Sequence, residues 1–365
     1  MTVALAHMYT LHRLRGIERY VLSLANALAR RGTAVVLVTG RTASPCTAER
    51  LDPRVAVHAV RHWGWRRASF LPGFLADFLR YRYDALSLFL PWAEGRAAAI
   101  AGRLRPLPFN LVFQYPASGH ERLYRSFGRL GLPRRARALI AVSRYVARDV
   151  ERWFGRPAAV IPSGVDAARF RFDPEARRAV RAELGLEDGE PLLLSVCAIE
   201  GRKGLAQVLA ALPRLAARRG GPPPRYVVVG DGPPAQRAAF EATVRTLGLE
   251  RVVRVTGYQP APERYYSAAD AFVLLSRDEA FGLVVLEALA CGLPVVVSDG
   301  SAFPEIVPPG AGHLVPPDDP DAVADALGRA LAAGRPGEAA RAPVVARYSW
   351  DRVADAYLAA VAGAG

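Results

Sequence analysis

Apolar residues come in short unbroken runs, separated by longer stretches in which they recur every three or four positions. Runs at residues 3–7, 34–40, 56–60, 85–90, 110–115, 138–143 and 158–161 read as strands. Between most of them lie helical patterns such as 17–31, where Ile17, Val21, Leu24 and Leu28 share one face. The rhythm restarts at 192–198 and continues through 225–230, 252–256, 271–275 and 294–298. An α/β fold follows, with parallel, doubly wound sheets. The stretch 162–188 interrupts the rhythm with Gly164, Pro174 and a charged helix at 175–184, so the domain junction is placed near residue 170. The expected organisation is two Rossmann-like domains, 1–170 and 171–347, facing a central cleft. Residues 348–365 carry a final amphipathic helix that crosses back to the first domain. In such folds ligands bind outside the carboxyl ends of the strands.

Composition agrees with two domains: 365 residues, 51% of them hydrophobic. No run of 18 apolar residues occurs, which excludes a membrane-spanning helix. The first ten residues lack the pattern of a secretory signal, so a cytoplasmic protein is expected. The three cysteines, Cys46, Cys197 and Cys291, are widely spaced and suit neither a disulfide framework nor a zinc site. Charge is uneven. Residues 1–185 carry 31 Arg against 13 Asp and Glu, whereas the remainder carries 17 basic and 21 acidic residues. The basic half favours an anionic partner. Nucleic acid is not expected, because no RNP, zinc-finger or arginine-tail pattern is present. Of 48 basic residues 47 are Arg, and the single Lys is Lys203. Its survival against that bias marks it as a candidate for a role Arg cannot fill.

The most informative stretch is SRDEAFGLVVLEALACGLP, residues 276–294. A strand ends near Leu275, a loop follows, and a helix starts about Gly282. Free amides of Gly282, Leu283 and Val284 at that start suit an anion such as phosphate. Glu279 precedes the helix and Glu287 lies one and a half turns inside it. Two carboxylates beside an anion site suit hydroxyl-rich groups on either side of a pyrophosphate, since a carboxylate accepts two hydrogen bonds from a vicinal diol.

Glu279 and Glu287 in this context resemble the E-x7-E motif of retaining GT-B glycosyltransferases, in particular glycosyltransferase family 4. Other segments agree in order. RGIER at 15–19 resembles the family's glycine-rich turn, and IPSGVD at 161–166 with Phe170 resembles its IPNGVD connection. SVCAIEGRKG at 195–204 resembles its SVGRLxxRKG loop, VGDGP at 229–233 its VGDGP loop, and YSW at 348–350 its FSW sequence. Ala198 stands where that loop carries Arg, and Arg15 where the turn carries its first Gly.

The resemblance implies a hexosyltransferase that uses a nucleotide-diphospho-sugar as substrate, needs no cofactor and no metal, and retains the anomeric configuration. Glu287 would bind ribose and Glu279 the donor sugar. The amides at 282–284 and Lys203 would neutralise the pyrophosphate. Phe281, Arg202, Gly16, Gly230, Gly232 and Tyr258 complete the donor-binding candidates. His120 is a catalytic candidate near the end of the fifth strand, and His7 a second histidine candidate. Asp318-Asp319 reads as a helix cap rather than a metal site.

His62-Trp63-Gly64-Trp65-Arg66-Arg67 followed by Phe70-Leu71 reads as an interfacial patch, which suggests an anionic membrane surface and a glycan or lipid-linked acceptor. A phosphorylase or sugar-phosphate synthase of the same fold, and a catalytically silent sugar-nucleotide-binding or membrane-associated scaffold, are the competing readings.

Overall fold

The computed structural model describes residues 1–8, 16–40, 51–61, 67–187 and 189–363. Arg15, Cys46 and the patch residues 62–66 lie outside these. The chain divides into two compact units, Met1–Gly164 with Trp350–Gly365, and Val165–Ser349.

In the first unit seven strands form one sheet: β1 (Thr2–Ala6), β2 (Ala34–Gly40), β3 (Val55–Val60), β4 (Ala85–Leu88), β5 (Phe109–Phe113), β6 (Leu139–Ala141) and β7 (Ala159–Val160). Their order is β3-β2-β1-β4-β5-β6-β7, and every pair is parallel. The second unit holds β8 (Leu192–Val196), β9 (Arg225–Val229), β10 (Val253–Gly257), β11 (Ala271–Leu274), β12 (Val295–Ser298) and β13 (Gly312–Val315), ordered β10-β9-β8-β11-β12-β13 and again all parallel. Central strands such as β4, β5 and β11 are buried at every residue, which is why they read as continuous apolar runs.

β13 is absent from the hydropathy prediction. It is a four-residue edge strand with three of its residues at least partly open to solvent, and Pro308-Pro309 and Pro316-Pro317 bracket it. Its pattern therefore resembles a turn. The first helix is Gly16–Arg30 and the helix after the junction is Pro174–Glu183, each one residue earlier than the periodicity suggests. The junction itself falls between Gly164 and Val165.

The last helix, Trp350–Ala362, belongs to the first unit. Trp350 meets the Tyr20 ring edge-on at 5.6 Å and lies against Gly164, where a Cβ would come within 2.6 Å of the indole. Asp355 pairs with Arg31 at 2.7 Å, and the buried Tyr357 hydroxyl bonds that of Ser87.

Each sheet reverses its strand order once, at β1/β4 and at β8/β11. These reversals open crevices at the carboxyl ends of the flanking strands. His7, directly after β1, is 1% exposed, and its ring meets Phe89 edge-on at 6.3 Å. Burial pulls its pKa down to about 3, so it is neutral in the folded protein. An unfolded chain takes up a proton at His7 below about pH 6.5, and the folded one does not until about pH 3. This contribution to stability is complete above pH 6.5 and is lost on acidification at up to about 1.4 kcal/mol per pH unit. Denaturant unfolding at pH 7.5 and pH 5 should show that fall in the parent, and His7→Gln should reduce it by about 2 kcal/mol.

Candidate active site

The reversal point of the second sheet collects most of the residues singled out above. β8 and β11 pair side by side, Leu193 with Ala271 and Leu194 with Phe272, so the loops leaving their carboxyl ends are neighbours. The first loop ends in a short turn, Gly201–Lys203, followed by Gly204 at φ +69°. A Cβ on Gly204 would lie 2.2 Å from the Leu275 carbonyl oxygen, so glycine lets this loop rest on the end of β11. The Arg277 N–H donates to the Arg202 carbonyl at 3.1 Å and ties the two loops together.

Lys203 Nζ then reaches Glu279 Oε2 at 2.6 Å, with the two side chains 11% and 19% exposed. The buried Ser276 hydroxyl donates to the same Oε2 at 3.1 Å. One carboxylate oxygen is thus held from two sides. Three contacts from the end of β12 and the turn after it fix the loop that carries Glu279. Ser298 donates to the Ser276 carbonyl, Ser301 donates to the Arg277 carbonyl at 2.6 Å, and the Ala302 N–H donates to the Glu279 carbonyl at 3.3 Å.

The helix that follows is Leu283–Ala290. Gly282 caps it at φ +99°, and a Cβ there would press to 2.8 Å on the Phe303 ring. The N–H groups of Val285 and Leu286 bond the Gly282 carbonyl. Those of Gly282, Leu283 and Val284 have no partner among the described residues. Three unbonded donors at a helix start are chemically suited to an anion. Phe281 is buried against Tyr348, ring to ring at 5.8 Å. Glu287 is 2% exposed and accepts the Tyr266 hydroxyl on Oε2 at 2.8 Å.

Beneath Lys203 lie the β8 and β9 turns. Gly230 and Gly232 are required by backbone approach, since a Cβ would come within 2.0 Å of the Cys197 carbonyl oxygen and 2.3 Å of that of Ile199. Desolvation pushes the thiol of the half-buried Cys197 up to about 12, against the pull of Lys203, and so it adds no charge under the ion pair. Arg202 bonds the exposed Glu200 at 2.9 Å and takes no part in the pair. Tyr258 is 67% exposed just past β10. Asp319 caps the helix Pro320–Ala333, as expected, and Asp318 bonds Arg277. Gly16 and His120 belong to the first unit. Gly16 opens the first helix with free space where a Cβ would be. His120 bonds the Ser118 carbonyl through Nδ1 at 3.1 Å and packs on Tyr115 at 4.8 Å.

Arginines fix the far end of the same helix. Arg335 donates to the carbonyls of Tyr266, Ala269 and Cys291, and Arg341 to those of Ala290, Phe170 and Ala167. Cations on these terminal carbonyls complement the helix dipole. Burial draws the Arg335 guanidinium down to about 10, which leaves it charged at neutral pH.

Residues 176–342 match the family described as Glycosyl transferases group 1, and residues 14–169 match Glycosyltransferase Family 4. The chain is 32% identical to a D-inositol 3-phosphate glycosyltransferase of Xylanimonas cellulosilytica, over 94% of this chain and 90% of that one. The chain belongs to glycosyltransferase family 4. The transferase is also 36% identical, over 57% of its length and 56% of the relative's, to a GDP-mannose-dependent alpha-(1-6)-phosphatidylinositol monomannoside mannosyltransferase of Mycolicibacterium smegmatis. Among solved structures it is similar to a sucrose-phosphate synthase from Thermosynechococcus elongatus, with TM-score 0.83, 25% identity and coverage of 97% and 96%. HepE of Anabaena, solved with UDP and glucose, shares the fold at TM-score 0.83 and 19% identity over all of both chains. The two parallel-sheet units are the GT-B fold, and the protein is a glycosyltransferase.

Two residues of the site escape sequence reasoning. Tyr266 approaches Glu287 across 21 positions, with no local pattern to announce it. Ser276 lies only three residues before Glu279, and its signal was a small polar residue closing an apolar run.

Two substitutions test this geometry. Gly282→Ala meets both positive φ and the Phe303 ring, and should destabilise the second unit by about 1–3 kcal/mol in thermal or urea melts. Ser276→Ala leaves Lys203 as the only holder of Oε2. It should lower kcat roughly tenfold while changing the melting temperature little.

Proposed function

We propose that the enzyme is a retaining hexosyltransferase that takes its sugar from a nucleotide-diphospho-sugar and works without a divalent metal. The observation that carries this reading is the chain's one lysine held at 2.6 Å from Glu279 beside the open amides of the helix Leu283–Ala290. In the proposed complex the diphosphate lies on the Leu283 and Val284 amides and accepts from Lys203. The donor sugar hydroxyls bond the Glu279 oxygen that the lysine leaves free. Ribose hydroxyls share Glu287 with the Tyr266 hydroxyl, which a carboxylate with two acceptor oxygens allows. Gly230, Gly232, Phe281 and Tyr258 shape the nucleotide's surroundings.

Transfer breaks the bond between the anomeric carbon and the phosphate oxygen. The acceptor oxygen adds from the same face, and its proton passes to an oxygen of the departing diphosphate. Lys203 and the amides stabilise the charge that grows on the leaving group, so their effect falls on the transition state. The relatives' names include inositol 3-phosphate and phosphatidylinositol monomannoside. The proposed acceptor is accordingly a hydroxyl of a phosphorylated cyclitol, free or lipid-linked, met at the cytoplasmic face of a membrane. No helix among the described residues is long and apolar enough to cross one.

A panel of UDP-, GDP- and ADP-sugars tested by thermal shift should single out one donor, stabilising by about 2.7 kcal/mol at 100 times its Kd. Glu287→Ala should abolish that shift. Lys203→Ala should lower kcat far more than it raises KM, and EDTA should leave the rate unchanged. Inversion at the anomeric carbon, read by NMR of the product, would end the retaining reading.

A further inference from the structure

Residues 121–156 hold ten arginines against three carboxylates, a balance of +7 and half the +14 of the whole chain. The structure arranges this charge. On the helix Glu121–Arg129, Arg122, Arg125 and Arg129 fall on one exposed face at helical spacing, opposite the buried Leu123, Tyr124 and Phe127. On Arg144–Phe154, Arg148 and Arg152 share an exposed face opposite Val146 and Val150. The two helices are neighbours, because the Tyr124 ring stacks on Phe154 at 5.7 Å and packs against Trp153 at 5.7 Å.

None of these five arginines forms an ion pair with a described residue, unlike the second-unit arginines Arg177, Arg214, Arg218, Arg237 and Arg264. The nearby carboxylates do not neutralise them. Glu121 and Asp149 accept backbone N–H groups of Gly119 and Ala117, and Glu151 makes no ion pair with a described residue. Trp153, 36% exposed, follows Val146 by two turns and so lies on the side of its helix away from Arg148 and Arg152, where it packs on Tyr124 and joins the two helices.

We propose that this two-helix face docks on the surface of an anionic phospholipid bilayer. Guanidiniums without an ion pair among the described residues, on adjoining helices, match the phosphate headgroups of an anionic surface. Neither helix carries the Asn or Gln that would read base edges, and one aromatic is too few for a stacking platform. The face names the surface that the lipid-linked acceptor reading above calls for.

The test is co-sedimentation of the full chain with vesicles of phosphatidylcholine, with and without about 30% phosphatidylglycerol. Binding is expected to the anionic vesicles alone and to be lost in about 0.5 M salt. Replacing Arg122, Arg125, Arg129, Arg148 and Arg152 together by Gln should weaken it at least tenfold, while Lys at all five should keep it. A control replaces the exposed Arg178, Arg219, Arg245, Arg251 and Arg329 of the second unit by Gln, removing equal charge. It should bind like the parent, and circular dichroism should find all variants folded. Retained binding in the first Gln variant, equal loss in the control, or binding to RNA in place of vesicles would overturn the proposal. If vesicle binding fails while transfer to soluble inositol 3-phosphate persists, the docking face falls and the transferase reading stands.

Discussion

Lys203 and Glu279 bring opposite charges together where water is largely excluded, and the rest of the second unit is arranged so that they can stay there. Removing two ions from water costs several kcal/mol each unless their remaining hydrogen-bonding capacity is met. Ser276 meets part of it from below. Gly204 allows the lysine loop to sit on the carbonyl end of β11, and the Ser298 and Ser301 hydroxyls hold the carboxylate's loop from the other side. The pair is the direct result of two parallel strands being neighbours in the sheet while far apart in sequence. An incoming anion meets an ammonium already engaged by a carboxylate, so binding must redistribute an existing charge pair.

The helix Leu283–Ala290 is short, and neither end depends on its own residues for satisfaction. Its start leaves donors unused, whereas its end is covered by guanidiniums. Of these, Arg335 also holds the carbonyls of Tyr266 and Ala269, so the tyrosine that grips Glu287 is anchored to the helix it serves. A chain almost devoid of lysine uses arginine's planar fork for such multi-carbonyl contacts, and keeps its compact ammonium for the crowded turn after β8.

Much of this was legible in the residues. Central strands buried on both faces announce themselves as unbroken apolar runs, and the motif around Glu279 and Glu287 locates the helix start to within one residue. A lone Lys203 among arginines drew notice on composition alone, and it is the residue found against Glu279. What the sequence hid is long-range or marginal. β13 looks like a turn because prolines bracket four residues of which three are partly open to solvent. Tyr266 has no reason, viewed locally, to be more than a core aromatic. Gly230 and Gly232 are donor-binding candidates in the sequence, and the structure adds a second reason for glycine there, the close approach of the adjoining loop's carbonyls. Arg202, adjacent to the lysine, turns to Glu200, because successive side chains in a tight turn diverge.

The first unit is assembled from two distant pieces of chain, with Trp350 seated on Gly164 and Tyr20, and Tyr357 bonded to Ser87. A ribosome delivers these pieces with the whole of Val165–Ser349 between them. The continuous unit, Val165–Ser349, has all its residues available before Trp350 emerges. The unit begun first is therefore the one finished last, and until then it exposes the apolar seat that the closing helix will occupy. During synthesis that seat is the part of the nascent protein most in need of a chaperone.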